Sequence, residues 1–303
     1  MSIKVTKLIE MFHLNIINKG LEDCEIDAIE SNRCGLQLSG FYRQFEKKRI
    51  QIIGNAEAEY LATMEKSAYE EALQNLFSQE APCIILANNN QVSDEVVEMA
   101  KKSNQWLLGT EEATSKYLID QTIYLKHEMA EKITLHGVLM DIYGVGVLIT
   151  GDSGVGKSET AISLIRSGHM LIADDAVEIA KISAQLLVGT SHKITRNLIE
   201  CRGIGIVNIN SLFGKSAIRQ EGPVEIIMHL VKWDDNANYD RVNGDYSTKE
   251  ILGVELPVAQ IPVKPGRNLA AIVEIGALDF RQNQMGYNTA KELNRNLKSL
   301  TSF

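Results

Sequence analysis

Residues Gly151-Asp152-Ser153-Gly154-Val155-Gly156-Lys157-Ser158 form a complete Walker A pattern: glycines, a lysine and a hydroxyl at fixed spacing. The pattern constrains its surroundings, because it works only where a strand delivers the glycines and a helix begins at the lysine. Backbone N–H groups then turn inward toward phosphate oxygens, and the helix N-terminus adds a favourable dipole. The flanking residues agree. Residues 135–150 are dense in Val, Leu, Ile and Tyr and read as two neighbouring strands joined at Tyr143-Gly144. A helix is predicted over 158–166, stopping at Gly168. In this setting Lys157 neutralises the outer phosphates of a nucleoside triphosphate, and the Ser158 hydroxyl is offered to Mg²⁺.

The next strand, Met170-Leu171-Ile172-Ala173, ends in Asp174-Asp175, which brings two carboxylates near the phosphate loop. Neighbouring side chains at a strand end point in opposite directions, so the two acids are expected to differ in role. One takes the proton of an attacking hydroxyl while the other organises metal-bound water; which does which stays open. Glu200 is a further oxygen donor for Mg²⁺. His136, before Gly137, and Arg241, in a polar loop over 234–249, are weaker candidates when taken alone. Pro262-Val263-Lys264-Pro265-Gly266-Arg267 contains a tight cationic turn suited to phosphate.

At 303 residues the chain suits two domains, divided near Lys132 into residues 1–131 and 132–303. The first reads as a small α/β domain. Leu8, Ile9 and Phe12 share one face of an opening helix, and 49–53 is a strand stopping at Gly54. A helix covers about 56–77, and 83–87 is a buried strand closed by three asparagines. Ser93 caps the following helix, 106–108 is another strand, and 121–134 reads as helix. In the second domain further strands are expected at 204–209, 224–231 and 269–275, giving a mixed sheet flanked by helices. The net charge of −8 without a basic stripe argues against a nucleic-acid partner. Four scattered cysteines and the absence of a long apolar segment point to a reduced, cytoplasmic protein with no membrane association.

Taken together these segments resemble the HPr kinase/phosphorylase family. The resemblance is carried by Leu135-His136-Gly137-Val138-Leu139, the Walker loop, Ala173-Asp174-Asp175, residues 197–205, Tyr239-Asp240-Arg241, residues 261–268 and Met285-Gly286-Tyr287-Asn288. It implies ATP- and Mg²⁺-dependent phosphorylation of a serine on the phosphocarrier HPr. It also implies phosphorolysis of that seryl phosphate by inorganic phosphate, giving pyrophosphate, in carbon catabolite regulation. By matching position His136, Lys157, Asp174, Asp175 and Arg241 form the active-site set, and Ser158 and Glu200 hold Mg²⁺. Residues 199–208 serve both reactions and 262–267 mainly the phosphorolysis. The same resemblance implies a kinase domain similar in fold to phosphoenolpyruvate carboxykinase, and a homohexamer. The alternative is a carboxykinase-like P-loop kinase of a small molecule, which shares the nucleotide site but would enclose its acceptor.

Overall fold

The computed structural model describes residues 2–234, 246–264, 266–289 and 292. The chain separates into two compact units, Met1–Ala130 and Glu131–Phe303.

In the first unit β1 (Ile3–Lys4) leads into α1 (Val5–Phe12), followed by β2 (Asn15–Asn18), β3 (Glu25–Ile26), β4 (Ser31–Arg33) and α2 (Gly35–Leu38). Then come β5 (Ile50–Ile53), α3 (Asn55–Ala62), α4 (Lys66–Phe77), β6 (Cys83–Leu86), α5 (Asp94–Lys102), β7 (Trp106–Gly109) and α6 (Thr114–Glu128). One sheet has the order β2-β7-β6-β5-β4; its last four strands are parallel and β2 is antiparallel to β7. Its alternating side chains feed two cores. Ile50, Ile52, Cys83, Ile85 and Leu108 pack on α1 and α6, whereas Ile53, Ile84, Leu86 and Leu107 pack on α2 to α5. Both faces are therefore apolar, as a covered parallel sheet requires. Cys83 is fully buried among apolar groups, which pushes its thiol up and leaves it a small core hydrophobe.

Two helix expectations need correction here. The helix expected over 56–77 is two helices. Thr63 ends the first: its hydroxyl donates to Tyr60 O at 2.7 Å, and the N–H of Met64 falls back to Leu61 O at 3.2 Å, a tightened final turn. The helix expected over 121–134 starts earlier, at Thr114, and stops at Glu128. Residues 132–134 instead begin a strand, because Ile133 and Leu135 find partners across a sheet. Ser93 has the extended backbone of an N-cap, but its hydroxyl accepts no helix N–H.

The second unit opens with β8 (Lys132–His136), β9 (Val138–Ile142) and β10 (Val145–Gly151), then α7 (Lys157–Arg166) and β11 (Met170–Ala173). Residues 135–150 thus span parts of three strands where two were expected, because the chain changes sheets at Gly137. β9 and β10 are the expected hairpin, turning at Tyr143-Gly144 with φ of 54° and 86°. Next are β12 (Ala176–Lys181), β13 (Leu187–Ser191), β14 (Leu198–Cys201), β15 (Gly205–Asn208), α8 (Ile209–Phe213) and β16 (Glu221–Pro223). The unit closes with β17 (Ile226–Lys232), β18 (Ser247–Ile251), β19 (Val254–Val263) and α9 (Leu269–Gln284). A mixed six-stranded sheet, β11-β9-β10-β17-β19-β18, is accompanied by a four-stranded sheet, β16-β13-β12-β8, and the β14-β15 hairpin. In this mixed sheet β10, which carries the glycine loop, lies parallel to β17 and is buried over 145–149.

The strand expected at 269–275 is helix. Asn268 caps it by accepting from Ala271 N at 3.2 Å, and Ala270, Val273, Ala277 and Phe280 form a buried stripe at helical spacing. Its apolar density resembled a strand only when read without that period.

Candidate active site

β10 ends at Gly151, the loop turns, and α7 starts at Lys157. Within this loop the Val155 side chain faces the core, which anchors the turn and frees its neighbours. Lys157 is buried, and its Nζ donates to the carbonyls of Gly151 at 2.9 Å and Asp152 at 3.1 Å. Its charge is thus folded over the loop. The amides of Ser153, Gly154 and Gly156 are bonded to no backbone carbonyl among the described residues. They are therefore available to an anion.

β11 brings Asp174 and Asp175 to this loop, and the two diverge as strand geometry requires. Asp174 is 5% exposed and accepts from the Ser158 hydroxyl at 3.1 Å and from the Glu200 N–H at 3.1 Å. Burial pushes its carboxyl up, opposed by those two hydrogen bonds, while Asp175 next door adds to the upward push. Asp175 points away, with its side chain 75% exposed and φ at 66°. His136 is brought beside it by the pairing of β8 with β12, in which His136 faces Ala176. The His136 Nδ1 lies 3.0 Å from the Asp175 carboxylate and 3.0 Å from the Asp175 carbonyl oxygen.

One cleft is lined by His136, Ser153, Gly154, Gly156, Lys157, Ser158, Asp174, Asp175 and Glu200. Two further residues that sequence reasoning did not single out line the same cleft: Glu159, and, within the 199–208 segment, Arg202. Its guanidinium packs on Gly154, so a Cβ there would stand 2.9 Å from Nη2. The signal was present as a cation two residues after Glu200, but only the β14-β15 hairpin shows that it reaches the loop. Gly151, Asp152 and Val155 belong to the loop without lining the cleft.

The described residues of the cationic turn, between β19 and α9, are not among those lining the cleft. Lys264 Nζ and Arg267 lie 4.9 Å and 5.1 Å from the ring centre of Trp233, so the indole holds both cations. Leu269, two residues after Arg267, comes within 3.8 Å of a Cβ built on Gly156, which sets the start of α9 beside the phosphate loop. Pro265 and Arg241 lie outside the described residues.

A strand, a glycine loop, a helix-initiating lysine and an adjoining acid pair define a phosphate-loop phosphotransferase. The comparisons with known proteins give the particular family. Residues 127–297 match the HPr Serine kinase C-terminal domain and residues 3–125 the HPr Serine kinase N terminus. An HPr kinase/phosphorylase of Caldicellulosiruptor bescii is 43% identical over 98% of this chain and 96% of its own length. One of Alkaliphilus metalliredigens is 44% identical over 99% of this chain and 97% of its own length. A solved Hpr(Ser) kinase/phosphatase from Coxiella burnetii is 33% identical, with a TM-score of 0.49, covering 53% of this chain and 98% of that one. This chain belongs to the HPr kinase/phosphorylase family.

Proposed function

We propose that the cleft binds ATP through its Walker loop and phosphorylates a serine of HPr, and that it also runs phosphorolysis of the seryl phosphate. The observation that carries this reading is the division of labour between the two aspartates. Asp174 is tied to Ser158 and the Glu200 backbone, whereas Asp175 stands in solvent beside His136, within reach of a hydroxyl on another protein. The hairpin that bears Glu200 and Arg202 leaves Ile204 and Ile206 exposed, an open apolar rim suited to a protein acceptor rather than an enclosed small molecule.

In the forward direction the seryl oxygen attacks the γ-phosphorus, its proton passes to the Asp175 carboxylate, and ADP departs. In the reverse direction an oxygen of inorganic phosphate attacks the seryl phosphate. Asp175 returns the proton to the departing seryl oxygen, and pyrophosphate leaves. His136 orients the Asp175 carboxylate. Lys157, Arg202 and the loop amides bear the charge on the transferred group. The donors near the loop fit Mg²⁺: the Ser158 hydroxyl and the Glu200 carboxylate are oxygens, and the buried Asp174 carboxylate beside them has no cationic side-chain partner among the described residues. When bound, Mg²⁺ would neutralise charge on the phosphates. Lys264 and Arg267, held on Trp233, supply positive charge for incoming inorganic phosphate, so that turn serves phosphorolysis more than the kinase reaction. Arg241, by family position, completes the set. The kinase unit is similar to phosphoenolpyruvate carboxykinase around its loop, and the protein works as a homohexamer in the cytoplasm.

The test uses labelled ATP, purified HPr and single variants. Asp175→Asn is expected to reduce both rates by at least ~100-fold while ATP affinity stays within about twofold. Losses that merely follow weakened ATP binding would remove Asp175 from proton transfer.

A further inference from the structure

The first unit contains a second place built like a binding site. β6 and β7 are parallel neighbours, yet the chain leaves β6 for α5 on one face of the sheet and leaves β7 for α6 on the other. Adjacent strands whose connections part to opposite faces open a crevice at their carboxyl ends, where α/β sheets hold ligands. Two spaces meet there along the loop after β6. One is a cavity of about 250 Å³ walled by Leu61, Leu73, Phe77, Ile84 and Val96. The other is an open cleft of about 500 Å³ that carries His13, Asn15, Asn89, Thr110, Glu111 and Glu112. Asn90, Gln91 and Val92 border both.

Interiors pack with few voids, so an apolar cavity of this size with a polar rim requires an explanation. The rim chemistry is specific. The Asn90 amide nitrogen is committed to Ala87 O at 2.6 Å and Asn55 Oδ1 at 3.0 Å. The Gln91 amide nitrogen is committed to Asn89 O at 3.1 Å. Because both nitrogens face carbonyl oxygens, the orientation of each amide is fixed, and Asn90 Oδ1 and Gln91 Oε1 are the atoms left to accept. Glu111 adds a further acceptor, Glu112 is paired with Lys116 at 2.6 Å, and neither a lysine nor an arginine is among the residues lining either space. We infer that this unit binds an uncharged small molecule with an apolar body and an N–H or O–H donor, the body in the cavity and the donor on the Asn90–Gln91 rim. The absence of lysine and arginine from the lining disfavours a phosphorylated ligand, which separates this site from the Walker cleft.

Indole, benzofuran and phenyl phosphate are suitable probes for the full-length protein, read by saturation-transfer NMR and calorimetry. Benzofuran keeps the shape of indole and lacks the donor. Indole is expected to bind with Kd on the order of 1 mM or tighter. Benzofuran should bind roughly tenfold more weakly, the value of one hydrogen bond, and phenyl phosphate should not saturate. Ala62→Phe, on the exposed end of α3, should fill the cavity and weaken indole at least tenfold. Intermolecular contacts from indole protons to the Leu73 and Val96 methyls locate the site without any variant. Absence of indole binding, or binding elsewhere, overturns the site. Equal affinity for benzofuran overturns the donor assignment, and binding of phenyl phosphate overturns the charge preference.

Discussion

Both units end parallel strands in loops with left-handed residues, yet only one of these loops can cradle phosphate. In the second unit Gly151, Gly154 and Gly156 take φ of 141°, 80° and 107°, and the amides of Gly154 and Gly156 have no backbone carbonyl partner among the described residues. In the first, Asn88 and Asn89 take φ of 58° and 55°, but their N–H groups donate to Glu112 O and Thr110 O, both at 2.9 Å. Asparagine tolerates the left-handed region, so backbone shape alone does not distinguish the two loops. The difference lies in where the N–H groups go. A strand-end loop becomes an anion site when its amides are left unpaired and a cation is folded over it, as Lys157 is. When the amides close onto the loop after the neighbouring strand, the loop offers side-chain carboxamides instead, and its ligand preference turns neutral.

Removing the cation is the most severe way to break this contrast. Lys157→Ala should abolish both phosphorylation and phosphorolysis, by ~100-fold or more, with the melting temperature of the first unit unchanged. Near-normal turnover in steady-state assays by a folded variant would dissociate chemistry from the loop. A smaller effect is expected from exchanging the two loops' left-handed residues. Gly156→Ala forces a Cβ into φ of 107°, at a cost of roughly 1–3 kcal/mol, and should weaken ATP binding about 10- to 100-fold by calorimetry. Asn89→Gly, at a position already satisfied, should leave activity unchanged and stability within about 0.5 kcal/mol. If Gly156→Ala bound ATP normally, glycine would not be what opens the loop.

The smallest effect concerns stability alone. Glu57, nearly buried in the first unit, accepts from Gly54 N at 3.0 Å and pairs with the half-exposed Arg33 at 2.9 Å. Burial pushes its carboxyl up, but the Arg33 hydrogen bond and the backbone donors outweigh this and hold it below its ordinary value. A carboxylate with a lowered folded pKa contributes stability above its unfolded pKa of about 4.3, and that contribution is lost as pH falls through the folded value. Glu57→Ala should therefore cost ~0.5–2 kcal/mol near neutral pH in denaturant melts, and the gap to wild type should close below about pH 4. A gap independent of pH would assign the loss to packing. Kinase activity should not change.

The fixed spacing of the Walker loop determined its strand and its helix, because that turn depends on residues adjacent in the chain. The α/β character of both halves followed from apolar periodicity. Periodicity failed at 269–275, where an apolar run reads as strand or helix until the Asn268 cap and the stripe from Ala270 to Phe280 are seen. It failed at 132–134 because strand formation there depends on β12, a partner more than forty residues away. The roles of Asp174 and Asp175 were open in sequence, since adjacent acids are equivalent until burial and partners differ. Folding places Asp174 under Ser158 and the Glu200 amide and leaves Asp175 with His136 in solvent. Arg202 over the glycine loop, the Trp233 support for Lys264 and Arg267, and the crevice between β6 and β7 also depend on tertiary structure. Each joins residues that are close only after the sheets have closed, and no local pattern encodes such a distance.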